Sequence, residues 1–294
     1  KRHRLRSRRN SKMSFRHFVK ASNGVKMPAF MYGTAWKKEA TTKLTSLALQ
    51  SGFRGIDTAN QHKHYAEPLV GEAIAEHKDS IKREELFLQT KFTFARGQDH
   101  IIPYDVDADF TTQVQQSFDS SLKHLGTNYI DSYVLHGPYS GEGLTDADWT
   151  VWRKFEELNR KGFAKMIGVS NINRLQLEEL FAKSEIHPHI VQNRCQAKYG
   201  WDREVREFCT ANNIIYQGFW LLTGNPQVVQ DERVIEIAQQ LNRTPGQVVF
   251  RFTHQIGIVP LTGTSSELHM REDLEIFDFA LSDDDVKMIE RIDG

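Results

Sequence analysis

Phe53-Arg54-Gly55-Ile56 is a short, largely apolar run closed by a carboxylate, Asp57. Two further runs share its form. Leu86-Phe87-Leu88-Gln89-Thr90 ends at Lys91, and Ser132-Tyr133-Val134-Leu135 ends at His136. Runs this short, separated by helix-like stretches, read as buried parallel strands of alternating β/α units. Parallel strands of one sheet point the same way, so the residues at their downstream ends gather on one face. Tyr65, just beyond the first run, joins them. A carboxylate, an ammonium, an imidazole and a phenol in one crevice predict a proton-transfer site.

The same pattern continues along the chain. Strands are predicted at 29–32, 54–57, 86–91, 130–136, 165–169, 189–193, 214–219 and 256–261. Helical periodicity falls between them, near 38–51, 69–76, 110–125, 149–161, 175–183, 203–212, 232–241 and 247–255. Thr244-Pro245-Gly246-Gln247 and Thr264-Ser265-Ser266-Glu267 carry helix-start signals. Eight strands alternating with helices predict an α/β fold, a (β/α)8 TIM barrel. A doubly wound sheet is the competitor, but the first strand lacks its glycine-rich turn. Residues 14–26 read as a β-hairpin turning at Ser22-Asn23-Gly24. Residues 14–294 are thus expected to form a single barrel domain, behind a disordered basic tail at 1–13.

The net charge of zero hides an asymmetry. Residues 1–20 hold nine basic side chains and no acid, leaving 29 basic against 38 acidic residues elsewhere. An acidic body gives no support for nucleic-acid binding. No apolar run approaches the roughly 18 residues of a membrane span. Two cysteines, Cys195 and Cys209, are too few for a disulfide framework and fit a reduced cytoplasmic setting. A monomer is expected. Long connections after the third, fourth and sixth strands carry Tyr104, Tyr139, Trp149, Tyr199 and Trp201, which predicts an aromatic-lined pocket.

Tyrosine, with a pKa near 10, is a weak acid at neutral pH. A cation beside it favours the phenolate and lowers that value. Lys91 is expected to supply the charge, Asp57 to hold the lysine, and neutral His136 to direct a substrate oxygen. Such a set suits carbonyl reduction, because the oxygen needs a proton as hydride reaches carbon. Read differently, His62 and His64 with Asp57 and His136 outline a zinc hydrolase. The later strands end in Ser170, Asn171, Gln192, Phe219 and Thr262, which add no good ligands, so no metal is expected.

Gly52-Phe53-Arg54-Gly55-Ile56-Asp57-Thr58-Ala59, Gly71-Glu72-Ala73-Ile74, Leu135-His136, Gly168-Val169-Ser170-Asn171 and Gln192-Asn193 closely resemble the aldo-keto reductases. The resemblance runs from about Phe15 to the chain end. It implies an NAD(P)H-dependent oxidoreductase that reduces small aldehydes or ketones, with Tyr65 as proton donor. By the same resemblance Ser170, Asn171 and Gln192 would hold the nicotinamide carboxamide. Phe219 would stack on the ring, and Gly33 and Thr34 would lie beside it. Thr262, Thr264, Ser265, His269 and Asp273 would receive the adenosine phosphate end, at a helix start suited to an anion. Some relatives of this barrel are non-catalytic NADP(H)-binding regulatory modules, which is the alternative.

Departures from the family pattern shape four expectations. The family's tyrosine lies five residues after the aspartate, where this chain has His62; an insertion would make Tyr65 the equivalent. Leu261 and His269 stand where a lysine and an arginine usually hold the 2′-phosphate. NADPH is expected, with NADH open, and Arg271, Ser265 and Thr262 as replacement contacts. Trp220 replaces a small residue and is expected to crowd the cofactor loop. The short segment after Leu281-Ser282-Asp283 implies an open pocket with loose selectivity.

Overall fold

The computed structural model describes residues 17–293. The tail expected at 1–13, and Phe15 and Arg16 of the hairpin, lie outside these residues. Strands β1 (Phe18–Lys20) and β2 (Lys26–Pro28) pair antiparallel, with Val19 opposite Met27. Gly24 turns the chain at φ +87°, a conformation glycine adopts without steric cost.

Eight parallel strands follow: β3 (Met31–Gly33), β4 (Gly55–Asp57), β5 (Phe87–Phe92), β6 (Ile130–Leu135), β7 (Ala164–Ser170), β8 (Ile190–Arg194), β9 (Ile215–Phe219) and β10 (Ile258–Thr262). They close in sequence order, with β10 returning to pair with β3. The predicted TIM barrel is therefore the observed fold. Strand bounds shift by one or two residues: Gly257, at φ +85°, still belongs to the turn before β10, and the helix expected near 149–161 runs Asp146–Arg160.

Strand alternation fills the barrel in layers. Phe87, Met166, Ile190, Ile215 and Val259 form an apolar floor with Met27 and Met31. Two residues further along the same faces stand Gln89, Gln192 and Gln217, all buried. Gln89 and Gln217 exchange amide hydrogen bonds, and Gln217 also reaches Met27 Sδ. One more step of two brings Lys91, Ser170 and Phe219 to the open end. Helices cover the outside, where Gly71 permits a close crossing. A Cβ there would stand 1.8 Å from the His124 carbonyl oxygen in helix Phe110–Leu125. Among the described residues no helix is long and apolar enough to cross a membrane.

Candidate active site

A cavity of about 980 Å³ opens at the downstream ends of the strands, lined by Asp57, Tyr65 and His136 among others. Lys91 lies beneath it, with no exposed surface, and donates to both Asp57 oxygens at 2.7 and 2.8 Å and to the Thr58 carbonyl at 2.8 Å. Asp57 Oδ1 also accepts from Gln89 Nε2 at 2.7 Å and Gln192 Nε2 at 3.0 Å. The glutamine layer thus fixes the carboxylate that fixes the lysine.

Tyr65 sits in the connection between β4 and helix Glu67–Glu76. A single turn, closed by the Tyr65 N–H on the Gln61 carbonyl at 3.0 Å, sets its direction. Two residues on, buried Glu67 accepts from Ser121 at 3.1 Å, binds His124 at 2.9 Å and accepts from Thr90, the neighbour of Lys91. The loop is therefore tied to the strand that carries the lysine. The Tyr65 ring centroid lies 5.1 Å from Lys91 Nζ, and the ring meets His136 edge-on at 5.9 Å. His62, at the family's usual tyrosine position, is instead an exposed side chain paired with Asp99 at 2.9 Å. The extra turn accounts for the longer spacing.

The charges are set by burial. Desolvation raises the Tyr65 pKa above 10.0; Lys91 pulls it back and Asp57 pushes it up, with a net upward direction. The expected lowering by the cation is present but outweighed. Burial lowers the Lys91 pKa, yet Asp57 and Tyr65 overcome it and hold the ammonium charged. The His136 pKa falls to about 3, through burial and the charges of Lys91 and His64, so the imidazole is neutral. Thr93 Oγ1 lies 2.7 Å from its Nδ1. A threonine proton on Nδ1 leaves Nε2–H as a donor toward the cavity.

The residues expected to hold a dinucleotide divide in two. Gly33, Ser170, Asn171, Gln192, Phe219, Thr262, Thr264, His269 and Asp273 line the cavity. Thr34 and Ser265 do not. Thr34 is fully buried and donates twice to the Asp57 carbonyl, at 2.9 and 3.0 Å, positioning β4 from behind. Arg271, expected as a replacement phosphate contact, is exposed and paired with Glu267 outside the cavity.

The remaining groups fit a nicotinamide dinucleotide. The Gln192 side-chain amide donates to Asp57 and to Gln217, while its Oε1 accepts no hydrogen bond among the described residues. Asn171, at φ +53°, donates to the His136 carbonyl at 2.8 Å and keeps its oxygen free for an amide N–H. At the far end the buried Asp273 Oδ2 has no hydrogen-bond partner among the described residues, which leaves it open to a polar group of a bound nucleotide. Burial pushes that carboxyl up to about 7, against a hydrogen bond from Thr262 and with Glu272 adding to the rise.

The cavity is aromatic-lined as expected, but by other residues than those named from the sequence. Tyr104, Tyr139, Trp149, Tyr199 and Trp201 do not line the cavity; Trp36, Phe94, Phe219, Trp220 and Phe250 do. Tyr104 spends its hydroxyl on the Thr93 carbonyl at 2.7 Å, and Trp201 is buried against Phe252. Trp220 swings to the rim, 49% exposed, with the Arg194 guanidinium 4.4 Å from its ring. Thr93, Gln89 and Gln217 escaped the sequence reading. Gln89 and Thr93 lie two residues either side of Lys91, so strand alternation was the available signal.

The aldo/keto reductase family model matches residues 28–225. Aldo-keto reductase family 1 member C15 of Rattus norvegicus is 30% identical, over 93% of this chain and 90% of the relative. Glyoxal reductase of Bacillus subtilis (strain 168) is 31% identical, over 95% and 94%. A crystal structure of an aldo-keto reductase complexed with NADPH superposes with a TM-score of 0.81 at 26% identity, over 95% and 88%. The chain belongs to the aldo/keto reductase family, and it is an NAD(P)H-dependent oxidoreductase that reduces carbonyl groups.

Proposed function

We propose that the enzyme reduces small aldehydes or ketones to alcohols with Tyr65 as the proton donor, His136 directing the carbonyl, and NADPH as the main reductant. The observation that carries this reading is the convergence of Tyr65, Lys91, Asp57 and His136 at one cavity wall. A bound nicotinamide cofactor would supply hydride to the carbonyl carbon. The His136 Nε2–H holds the carbonyl oxygen toward the phenol, and the Tyr65 hydroxyl gives that oxygen its proton. Burial keeps the phenol protonated until transfer, and the Lys91 ammonium stabilises the phenolate left behind. Two free, buried cysteines are compatible with a monomer working in the reducing cytoplasm.

The pH profile follows from the signs. The active form carries the Tyr65 proton, and a raised pKa moves its loss to higher pH. His136 gains a proton only near pH 3. Reduction kcat/KM is expected to stay level from about pH 5 to about pH 9 and to fall only on the alkaline side. A descending limb centred near pH 7 in stopped-flow or steady-state rates would contradict this assignment.

Cofactor choice is expected to be loose. The NADPH-bound relative supports the phosphorylated nucleotide. However, the adenosine end is lined by His269 and two carboxylates, Glu272 and Asp273, and His269 stands where the family usually has an arginine. A charge-assisted contact contributes about 1.5–3 kcal/mol, so its loss removes roughly tenfold or more of discrimination. The kcat/KM ratio of NADPH to NADH is expected to lie below about tenfold. A ratio above about a hundredfold would show an unrecognised phosphate site.

A further inference from the structure

Among the described residues three cations line the cavity, Lys37, Arg96 and Arg194, and none of them has a carboxylate there among its contacts. Two of them border the dinucleotide side. Lys37 donates to the Gly263 carbonyl just beyond β10, and Arg194 lies over Trp220 beyond β9. Arg96 is different. It follows β5, which stands three strands from β10 around the barrel, on the side of Asp57 and His136.

Two contacts fix the Arg96 head. Nη2 donates to the Pro138 carbonyl at 2.6 Å, and the guanidinium carbon lies 4.9 Å from the Tyr139 ring centroid. Pro138 is two residues beyond His136, a span of at most about 7 Å. Thr93, three residues before Arg96, holds the His136 ring. One short loop therefore carries both the imidazole's orienting partner and an arginine with donors to spare. A guanidinium has five N–H groups, and among the described residues this one commits a single donor. Phe94, whose ring meets Tyr139 edge-on at 5.0 Å, adds apolar cavity surface beside it.

Resting on the carbonyl-reductase reading above, we infer that Arg96 is a specificity residue that receives the carboxylate of an anionic carbonyl substrate. The substrate class is an aldehyde or ketone with an apolar body and a carboxylate at its far end. The planar fork pairs with that carboxylate while the carbonyl meets His136 and Tyr65. The dinucleotide phosphates are served from the opposite side, so Arg96 stays available to the substrate.

The test compares 4-carboxybenzaldehyde with its neutral relative methyl 4-formylbenzoate, using the full chain, Arg96→Gln and Arg96→Lys. The wild-type preference for the acid is expected to fall by about tenfold or more in Arg96→Gln, through KM rather than kcat. Arg96→Lys is expected to keep part of that preference. Equal losses on both substrates would reduce Arg96 to a loop staple and overturn the inference. Binding of 4-(hydroxymethyl)benzoate to the NADP-loaded protein separates the two readings. Weaker binding in Arg96→Gln supports the anion site even if the wild type reduces neither aldehyde, a result that would instead remove the reductase reading. Unchanged binding together with an unchanged substrate ratio overturns the anion site alone.

Discussion

Replacing Tyr65 by Phe is expected to lower carbonyl-reduction kcat by about a hundredfold to ten-thousandfold, the range that a positioned general acid contributes. The substitution removes one oxygen and keeps the ring, so the edge-on contact with His136 at 5.9 Å survives. Lys91 retains both Asp57 oxygens and the Thr58 carbonyl. Ser170, Asn171 and Gln192, the groups proposed to hold the nicotinamide, have no hydrogen bond to the phenol oxygen among the described residues. Nucleotide binding, read by quenching of the five tryptophans, is therefore expected to stay within a few-fold of wild type. His62→Phe is the matched control. That imidazole sits at the surface against Asp99, and its loss is expected to change kcat little. Turnover near wild type in the Tyr65 variant, or the opposite ranking of the two, would remove the proton-donor assignment.

How much of this was legible depended on how local the cause was. Asp57, Lys91 and His136 were readable because parallel strands carry their ends to one face, whatever the loops do. Tyr65 needed more. Its position depends on one turn, from Gln61 to Tyr65, and on Glu67 tying the following helix to Thr90. No periodicity announces either contact; the family pattern narrowed the choice to His62 or Tyr65, and burial separates them. The loop aromatics were misplaced for a related reason. A buried phenol seeks an acceptor, and Tyr104 finds the Thr93 carbonyl within its own loop rather than facing outward. The glutamine layer was within reach of the alternation rule, since Gln89 and Lys91 must share a face. Its partners, however, come from β8 and β9, more than a hundred residues away.

The buried pair beneath the cavity should respond asymmetrically to the loss of either partner. Removing Asp57 by Asp57→Ala strands an ammonium with no exposed surface, left with the Thr58 carbonyl and the neighbouring phenol. An uncompensated buried charge costs about 3–5 kcal/mol, which corresponds to a Tm lower by about 10 °C for a chain of this size. Lys91→Met leaves the carboxylate, but two amide donors from Gln89 and Gln192 still meet its Oδ1. The methionine side chain also fills most of the lysine's path through the barrel. The fall in Tm is expected to be smaller than for Asp57→Ala. Activity should not follow stability. Lys91→Met removes the ammonium beside Tyr65 and Asp57→Ala removes the carboxylate that positions it, so both are expected to lose about a hundredfold or more in kcat, even at temperatures where they remain folded. Calorimetry and single-turnover rates on the same samples separate the two effects. A Lys91→Met protein as unstable as Asp57→Ala would show that the glutamines do not support the carboxylate. One that still turned over near wild type would show that the phenol needs no cation to give up its proton.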